Sequence, residues 1–133
     1  MTPELTMMLT ALLLLAVLTN VVQMAALVAS HGVGGMLRSR DNVPVPKPGF
    51  AGRTDRAIEN LKENLLFFLP LCLMTAILGI SNGWTVGGAQ IFVAARAAHA
   101  VLYLIGVPGL RSVAFGVGTA GLVLMVIGLL NPA

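Results

Sequence analysis

The chain has 133 residues, of which 57% are hydrophobic and only 10% are charged. Soluble domains usually carry about 25% charged residues, so this composition excludes an ordinary soluble domain and favours a membrane protein. The formal net charge is +3. Because the basic residues are concentrated in two connections between apolar stretches, they indicate membrane topology and argue against a nucleic-acid partner.

Four apolar stretches are each close to the roughly 20 residues that a membrane-spanning helix needs. We expect helices at about residues 5–30, 55–80, 87–106 and 111–130. The predicted fold is therefore an all-α integral membrane four-helix bundle, with residues 1–133 forming a single domain. A cleaved signal peptide is the alternative for the first stretch, but no Lys or Arg precedes it and it exceeds an ordinary signal-peptide apolar region.

Basic residues cluster in the connections after the first and third stretches. They are Arg38, Arg40, Lys47, Arg53, Arg56 and Arg111. The N-terminus, residues 81–86 and the C-terminus hold no Lys or Arg. By the positive-inside rule, the two basic connections face the cytoplasm and both termini lie on the non-cytoplasmic side.

The connection after the first stretch reads DNVPVPKPGFAG and carries three alternating prolines. Proline at alternate positions cannot continue a helix, so we expect an extended segment here. The second helix is then predicted to start with Thr54 or Asp55 near its N-cap, where a side-chain oxygen satisfies free backbone N–H groups.

The second helix begins with a polar stripe at the edge of its apolar span. Arg56, Asn60 and Glu63 recur at helical spacing and share a face, which Arg53 extends by one turn. Polar groups entering hydrocarbon cost free energy unless they are paired or used. We therefore expect the functional residues to lie along this stripe.

A second polar stripe, Arg96, His99 and Tyr103, lies on the third helix. Counting the helix rise from outer boundaries near residues 80 and 88 places Tyr103 nearest in level to Glu63, with Arg96 closer to the outer side. An arginine at this depth is rarely left unpaired, so a structural ion pair between Glu63 and Arg96 is expected.

Other polar or small residues in the spans suit packing. Asn20 and Gln23 share a face and are expected to form interhelical hydrogen bonds, and Gly116 and Gly118 to permit close helix approach. Cys72 is the only cysteine, which excludes an intrachain disulfide and a CxxC metal site. No metal is therefore predicted.

The polar residues predicted to meet at the cytoplasmic half of the bundle suit a particular ligand chemistry. They are Arg53, Arg56, Asn60, Glu63, His99, Tyr103 and Arg111. Guanidinium groups bind carboxylates bidentately, a glutamate suits an ammonium group, and an asparagine suits a peptide amide. A short acidic peptide such as glutathione fits this set, and an arginine beside its sulfur would favour the reactive thiolate.

Three motifs in order resemble the MAPEG family (membrane-associated proteins in eicosanoid and glutathione metabolism). RAxxNxxE begins at Arg56, ARxxHxxxY at Ala95, and RS at Arg111, while VPVPKPGFAG looks like the family's cytoplasmic connection. The resemblance covers essentially the whole chain. It implies a bacterial-type member in the inner membrane, forming a homotrimer with glutathione bound between subunits near the cytoplasmic face.

The resemblance also implies roles for individual residues. Arg111 would stabilise the glutathione thiolate, with Ser112 matching an active-site serine of the prostaglandin E synthase branch. Glutathione as co-substrate would be bound by Arg38, Arg56, Asn60, Glu63, His99 and Tyr103, and the polar set described above adds Arg53. Phe115 and Asn64 stand where two branches of the family have tyrosines, which argues against an eicosanoid substrate.

These observations predict a membrane-bound glutathione transferase or peroxidase acting on a lipophilic small molecule that partitions into the surrounding membrane lipids. One alternative is a non-catalytic member that binds lipid or glutathione. Another is a small proton-coupled exporter in which Glu63 carries the proton. The exporter is disfavoured because the polar residues crowd toward one side of the membrane instead of spanning it.

Overall fold

A computed structural model describes residues 1–37 and 49–132, and this part of the chain is helical without strands. The first predicted span consists of α1 (Pro3–Val17), a π-helical turn (Leu18–Val22) and α2 (Gln23–Leu37). The remaining three spans are α3 (Gly49–Leu78), α4 (Gly83–Ile105) and α5 (Pro108–Leu130). The prediction of an all-α membrane four-helix bundle is confirmed.

The first span starts with a conventional helix N-terminus. The hydroxyl of Thr2 accepts a hydrogen bond from the backbone N–H of Leu5, and Pro3 occupies the first helical position. Near the other end, Gly32 leaves helical geometry with φ of 72°, which kinks α2. A residue without a Cβ adopts this left-handed conformation readily.

The start of α3 differs from the prediction of an N-cap at Thr54 or Asp55. The helix already begins at Gly49, and Thr54 lies inside it, wholly buried, with its hydroxyl donating to the carbonyl of Phe50 at 2.8 Å. A threonine within a helix can bond the carbonyl four residues earlier, so its presence does not by itself mark a helix start.

Helix α4 also starts earlier than predicted, at Gly83 in place of residue 87. Asn82 caps it: its side-chain oxygen accepts from the N–H of Thr85, while the Thr85 hydroxyl accepts from the N–H of Asn82. This reciprocal capping box satisfies two free donors. The helix thus begins five residues, or about 7.5 Å, before residue 88, from which the level count started.

A short turn joins α4 to α5. Gly106 ends α4 in the left-handed conformation with φ of 80°, and Pro108 occupies the first turn of α5. The two helices consequently run antiparallel and pack tightly. A Cβ on Gly88 would lie 2.6 Å from the carbonyl oxygen of Gly121, so neither position has room for a side chain.

Close helix approach therefore occurs at Gly88 and Gly121, and not at Gly116 as the sequence suggested. A Cβ on Gly116 would meet nothing within 4 Å, whereas one on Gly118 would meet a side chain, that of Arg96. The core between the helices is otherwise apolar, with Phe68 stacked on Phe92 at a centroid distance of 4.2 Å.

All four spans are long and apolar enough to cross a membrane. Many large apolar side chains, including Leu66, Phe67 and Ile77, are exposed on the outside of the bundle, as expected where lipid replaces water. The chain is therefore a multi-pass membrane protein. We call the end with the α4–α5 turn the basic end, because Arg53, Arg56 and Arg111 lie there, and the end with the α3–α4 turn the Glu4 end.

Candidate functional site

At the basic end, two arginines from different helices meet the ring of Tyr103 on α4. The guanidinium carbon of Arg111, in the first turn of α5, lies 4.3 Å from the ring centroid, and that of Arg56 on α3 lies 6.0 Å from it. Both distances are within the range of cation–π attraction. One aromatic ring thus holds two cations in a single cluster.

Neither of these guanidinium groups forms a salt bridge with an acid in the described part of the chain. The salt bridge found there joins Lys62 and Glu59, one turn apart on α3, at 2.9 Å. Arg56 is exposed and Arg111 half-exposed. Two unneutralised cations at an accessible position suit an anionic ligand, because guanidinium groups bind carboxylates with two parallel hydrogen bonds.

His99 lies one turn before Tyr103 and is buried, with 5% of its surface exposed. Its ring centroid lies 5.6 Å from that of Tyr103 and 6.2 Å from that of Phe115 on α5. His99 therefore packs between Tyr103, the residue that contacts the arginines, and α5.

Arg53 contacts the end of α4. Its Nε donates to the carbonyl of Leu104 at 2.9 Å, and its side chain lies beside Gly106. The carbonyls in the last turn of a helix lack intrahelical donors, so a cation bonding one of them stabilises the helix end. Arg53 thus ties the start of α3 to the α4–α5 turn.

Arg96 is deeply buried, with 2% of its surface exposed. Its Nη1 donates to Oδ1 of Asn60 at 3.1 Å and its Nη2 to the backbone carbonyl of Phe115 at 3.3 Å. The guanidinium also lies near the rings of Phe92 and Phe115, with centroid distances of 5.4 and 4.8 Å. The cation is therefore enclosed by neutral acceptors and aromatic rings.

The expected ion pair between Glu63 and Arg96 is absent from residues 1–37 and 49–132 of the single chain. Glu63 is exposed on α3, whereas Arg96 points into the bundle toward Asn60. Helix rotation decides the partner, because the face of α3 that carries Asn60 meets Arg96 while Glu63 lies on an exposed face. The prediction was wrong in its choice of partner and right that this deep arginine is engaged.

Two other predicted site residues are not brought into the cluster by side-chain contacts. The hydroxyl of Ser112 is exposed and donates to the carbonyl of Pro108 in its own helix at 3.3 Å. Arg38 lies outside the described residues. Their predicted roles stay predictions.

At the Glu4 end, a buried acid went unnoticed in the sequence. Glu4 is wholly buried, and its carboxylate accepts hydrogen bonds from Ser81, at 3.0 and 3.1 Å, and from Thr85, at 2.5 Å. In the sequence it looks like an acid favoured by a helix N-terminus. Its hydroxyl donors, about 80 residues away along the chain, provide no local signal.

The two predicted interhelical amides behave differently. Gln23 donates through Nε2 to Oδ1 of Asp55 at 3.0 Å, which confirms a bond between the first span and α3. Asn20 instead donates to the carbonyl of Ala16 in its own helix at 2.9 Å and is exposed. That half of the prediction was wrong, because the asparagine side chain points away from the neighbouring helix.

Among the grooves on the surface of the described residues, one is apolar and another is more polar. One, of about 460 Å³ between α3 and α5, is apolar and is lined by Leu66, Phe67, Pro70, Leu71, Thr119, Leu122, Val123 and Val126. The other, of about 550 Å³ between the first span and α3, is more polar and is lined by Leu15, Thr19, Gln23, Asp55, Ile58, Glu59 and Lys62. In the described ranges, no group of three His, Cys, Asp or Glu residues is placed to hold a metal ion.

The protein-family model of the MAPEG family matches residues 4–131, nearly the whole chain. No curated protein and no solved structure matches the chain significantly. The match supports, in general terms, a membrane function related to glutathione, of transferase or peroxidase type. Together with the four spans and the arginine cluster around Tyr103, it shows that the chain belongs to the MAPEG family.

Proposed function

We propose that the chain is a membrane-bound glutathione-dependent transferase or peroxidase that acts on lipophilic electrophiles. The observation that carries the proposal is the meeting of Arg56 and Arg111 on the ring of Tyr103, with neither cation paired to an acid in the described chain. Such a pair of guanidinium groups suits a ligand that carries carboxylates and a thiolate.

Arg111 is the cation proposed to stabilise the glutathione thiolate. A free cysteine thiol has a pKa near 8.5, and a neighbouring guanidinium lowers it by favouring the charged form. In a transferase step the thiolate sulfur forms a bond to the electrophilic carbon, and the leaving group departs with the bonding electrons. In a peroxidase step the thiolate sulfur attacks the terminal oxygen of a hydroperoxide, the O–O bond breaks, and the alkoxide takes a proton and leaves as the alcohol. The sulfur is left as a sulfenic acid, and the thiol of a second glutathione displaces its oxygen as water to form the disulfide.

The other residues of the cluster would bind and orient glutathione. Arg56 suits a carboxylate and Glu63 the ammonium group, while Asn60 provides a hydrogen-bonding amide. His99 and Tyr103 would line the same site, with Arg53 and Arg38 as further carboxylate contacts. Ser112, adjacent to Arg111, is proposed as a second active-site residue.

A homotrimer with the site between subunits would explain the exposed charges of α3. Arg56 and Glu63 are exposed on a helix that spans the membrane, and a charged side chain facing lipid is costly. A second copy covering this face would shield these charges and complete the walls of the site. We propose that the site opens to the cytoplasm of a bacterial inner membrane, as the distribution of basic residues favours.

Isothermal titration with glutathione, combined with ultraviolet absorbance of the bound thiolate, tests the proposal on purified protein in lipid nanodiscs. We expect binding by the wild type, and loss of thiolate absorbance with at least a tenfold drop in turnover for Arg111→Ala. Lys62→Ala serves as control, because it removes an exposed cation that is paired within α3 and lies outside the arginine cluster.

Turnover would be measured with an aryl halide for the transferase reaction and with a lipid hydroperoxide for the peroxidase reaction. Absence of glutathione binding by the wild type would refute the proposal. Binding with a thiolate signal that does not depend on Arg111 would refute the catalytic role and support a binding protein without catalysis.

A further inference from the structure

The side-chain amide of Asn60 has a defined orientation, because its neighbour can act only as a donor. Arg96 faces it with Nη1 at 3.1 Å, and a guanidinium has five N–H donors and no acceptor. The amide atom opposite Nη1 must therefore be the oxygen.

The opposite end of the amide remains available. Nδ2 of Asn60 makes no hydrogen bond with any residue in the described ranges, and it is not a buried atom. Asn60 lies one turn after Arg56 on the same face of α3, so its free N–H groups belong to the surface that carries the arginine cluster. This surface thus presents donors at both Arg56 and Asn60.

Arg96 is itself held in place by its surroundings. Its Nη2 bonds the carbonyl of Phe115, and its plane fits against Gly118, where an added Cβ would lie 2.9 Å from both Nε and Nη2. Any side chain at this position would therefore force the guanidinium to shift. The position of Arg96, and through it the orientation of Asn60, consequently depends on a glycine of α5.

We propose that Arg96 is a positioning residue that makes Asn60 a hydrogen-bond donor toward the ligand. The N–H groups of Asn60 then bond an acceptor oxygen of glutathione, from a carboxylate or a carbonyl. The inference rests on the proposed function for the identity of the ligand. It narrows the role of Asn60, because a freely rotating amide could equally accept a hydrogen bond from a ligand N–H.

Asn60→Asp distinguishes the two roles of the side chain. The aspartate keeps an oxygen for Arg96 and nearly the same shape, but it has no N–H to donate. We expect glutathione affinity to fall about 10- to 100-fold by isothermal titration, the range for losing a hydrogen bond to a charged group. Unchanged or tighter binding by Asn60→Asp, with the wild type binding normally, would show that Asn60 does not donate to the ligand and would overturn the inference.

Thermal unfolding without glutathione tests the orientation separately from the ligand. Asn60→Asp should unfold at or above the wild-type temperature, because it gives Arg96 a charged acceptor. Asn60→Leu should unfold at a lower temperature, because it leaves Nη1 of the buried guanidinium without an acceptor. Equal destabilisation by both variants would overturn the contact with Arg96. If the wild type binds no glutathione, the proposed function fails, and this ligand-free comparison still decides the orientation.

Gly118→Ala and Gly116→Ala form a matched pair on α5 for the final test. The first should displace Arg96 and weaken glutathione binding about tenfold or more, whereas the second, with open space at its Cβ, should leave binding unchanged. In an Asn60→Ala background, Gly118→Ala should cause no further loss of affinity. An equal additional loss in that background would assign Gly118 a general packing role and refute positioning through Asn60.

Discussion

Removing the carboxylate of Glu4 should destabilise the bundle at the end opposite the arginine cluster. Glu4 is wholly buried and accepts from the hydroxyls of Ser81 and Thr85, which tie the first span to the α3–α4 turn. A hydrogen bond to a charged group is worth about 1.5–3 kcal/mol. Two donors therefore set an upper estimate of about 3–6 kcal/mol for their joint contribution.

The expected loss is smaller than this sum because both hydroxyls keep other partners. Ser81 is exposed and can bond water, and the single hydroxyl proton of Thr85 can turn to the carbonyl of Asn82, whose oxygen lies at 3.1 Å. We expect Glu4→Ala to lower the free energy of unfolding by about 2–4 kcal/mol. For a chain of this size, that corresponds to a fall of about 5–15 °C in the unfolding midpoint.

The assay is thermal unfolding of purified protein in detergent, followed by circular dichroism. Thr10→Ala on the same helix serves as control, because its exposed hydroxyl bonds a carbonyl of its own helix, that of Thr6, and its removal should be nearly neutral. Glu4→Gln, which keeps one acceptor oxygen, should fall between the wild type and Glu4→Ala. A midpoint for Glu4→Ala equal to that of the Thr10→Ala control would refute this account of the Glu4 end.

Further predictions concern packing, interhelical bonding and burial. Gly121→Ala should lower the free energy of unfolding by about 1–3 kcal/mol, because its Cβ would lie 2.7 Å from a backbone oxygen of α4. Gly116→Ala should be neutral, and equal thermal unfolding midpoints for the two variants would contradict the packing of α4 against α5. Gln23→Leu should lower the free energy of unfolding by about 1 kcal/mol, because it loses the hydrogen bond to Asp55 on α3, whereas Asn20→Leu should leave it nearly unchanged. A larger loss of stability for Asn20→Leu than for Gln23→Leu would contradict the observed bonds. Cys72 is wholly buried, so a water-soluble maleimide should label it at least tenfold more slowly in folded protein than in denatured protein; rapid labelling of the folded state would argue against the packing of α3.

Local sequence patterns predict the number of helices but not the residues at which the helices begin. The apolar stretches predicted four spans, and all four occur, yet α3 begins at Gly49 and α4 at Gly83, both earlier than expected. Polar residues such as Thr54 can occur inside a helix when their hydroxyl bonds a backbone carbonyl, so a threonine is an ambiguous boundary signal. The shifted boundary of α4 in turn misplaced the level of Arg96 relative to α3.

The amino-acid sequence by itself determined the membrane-spanning helices and the order of the polar motifs, because apolar length and helical periodicity are properties of local sequence. It also placed Arg56 and Asn60 on one face of α3, and His99 and Tyr103 on one face of α4. Tertiary structure alone decided that Arg96 bonds Asn60 in place of Glu63, and that Glu4 is buried against Ser81. These choices depend on helix rotation and on the space left by glycines of a neighbouring helix, which residues distant in the chain set together.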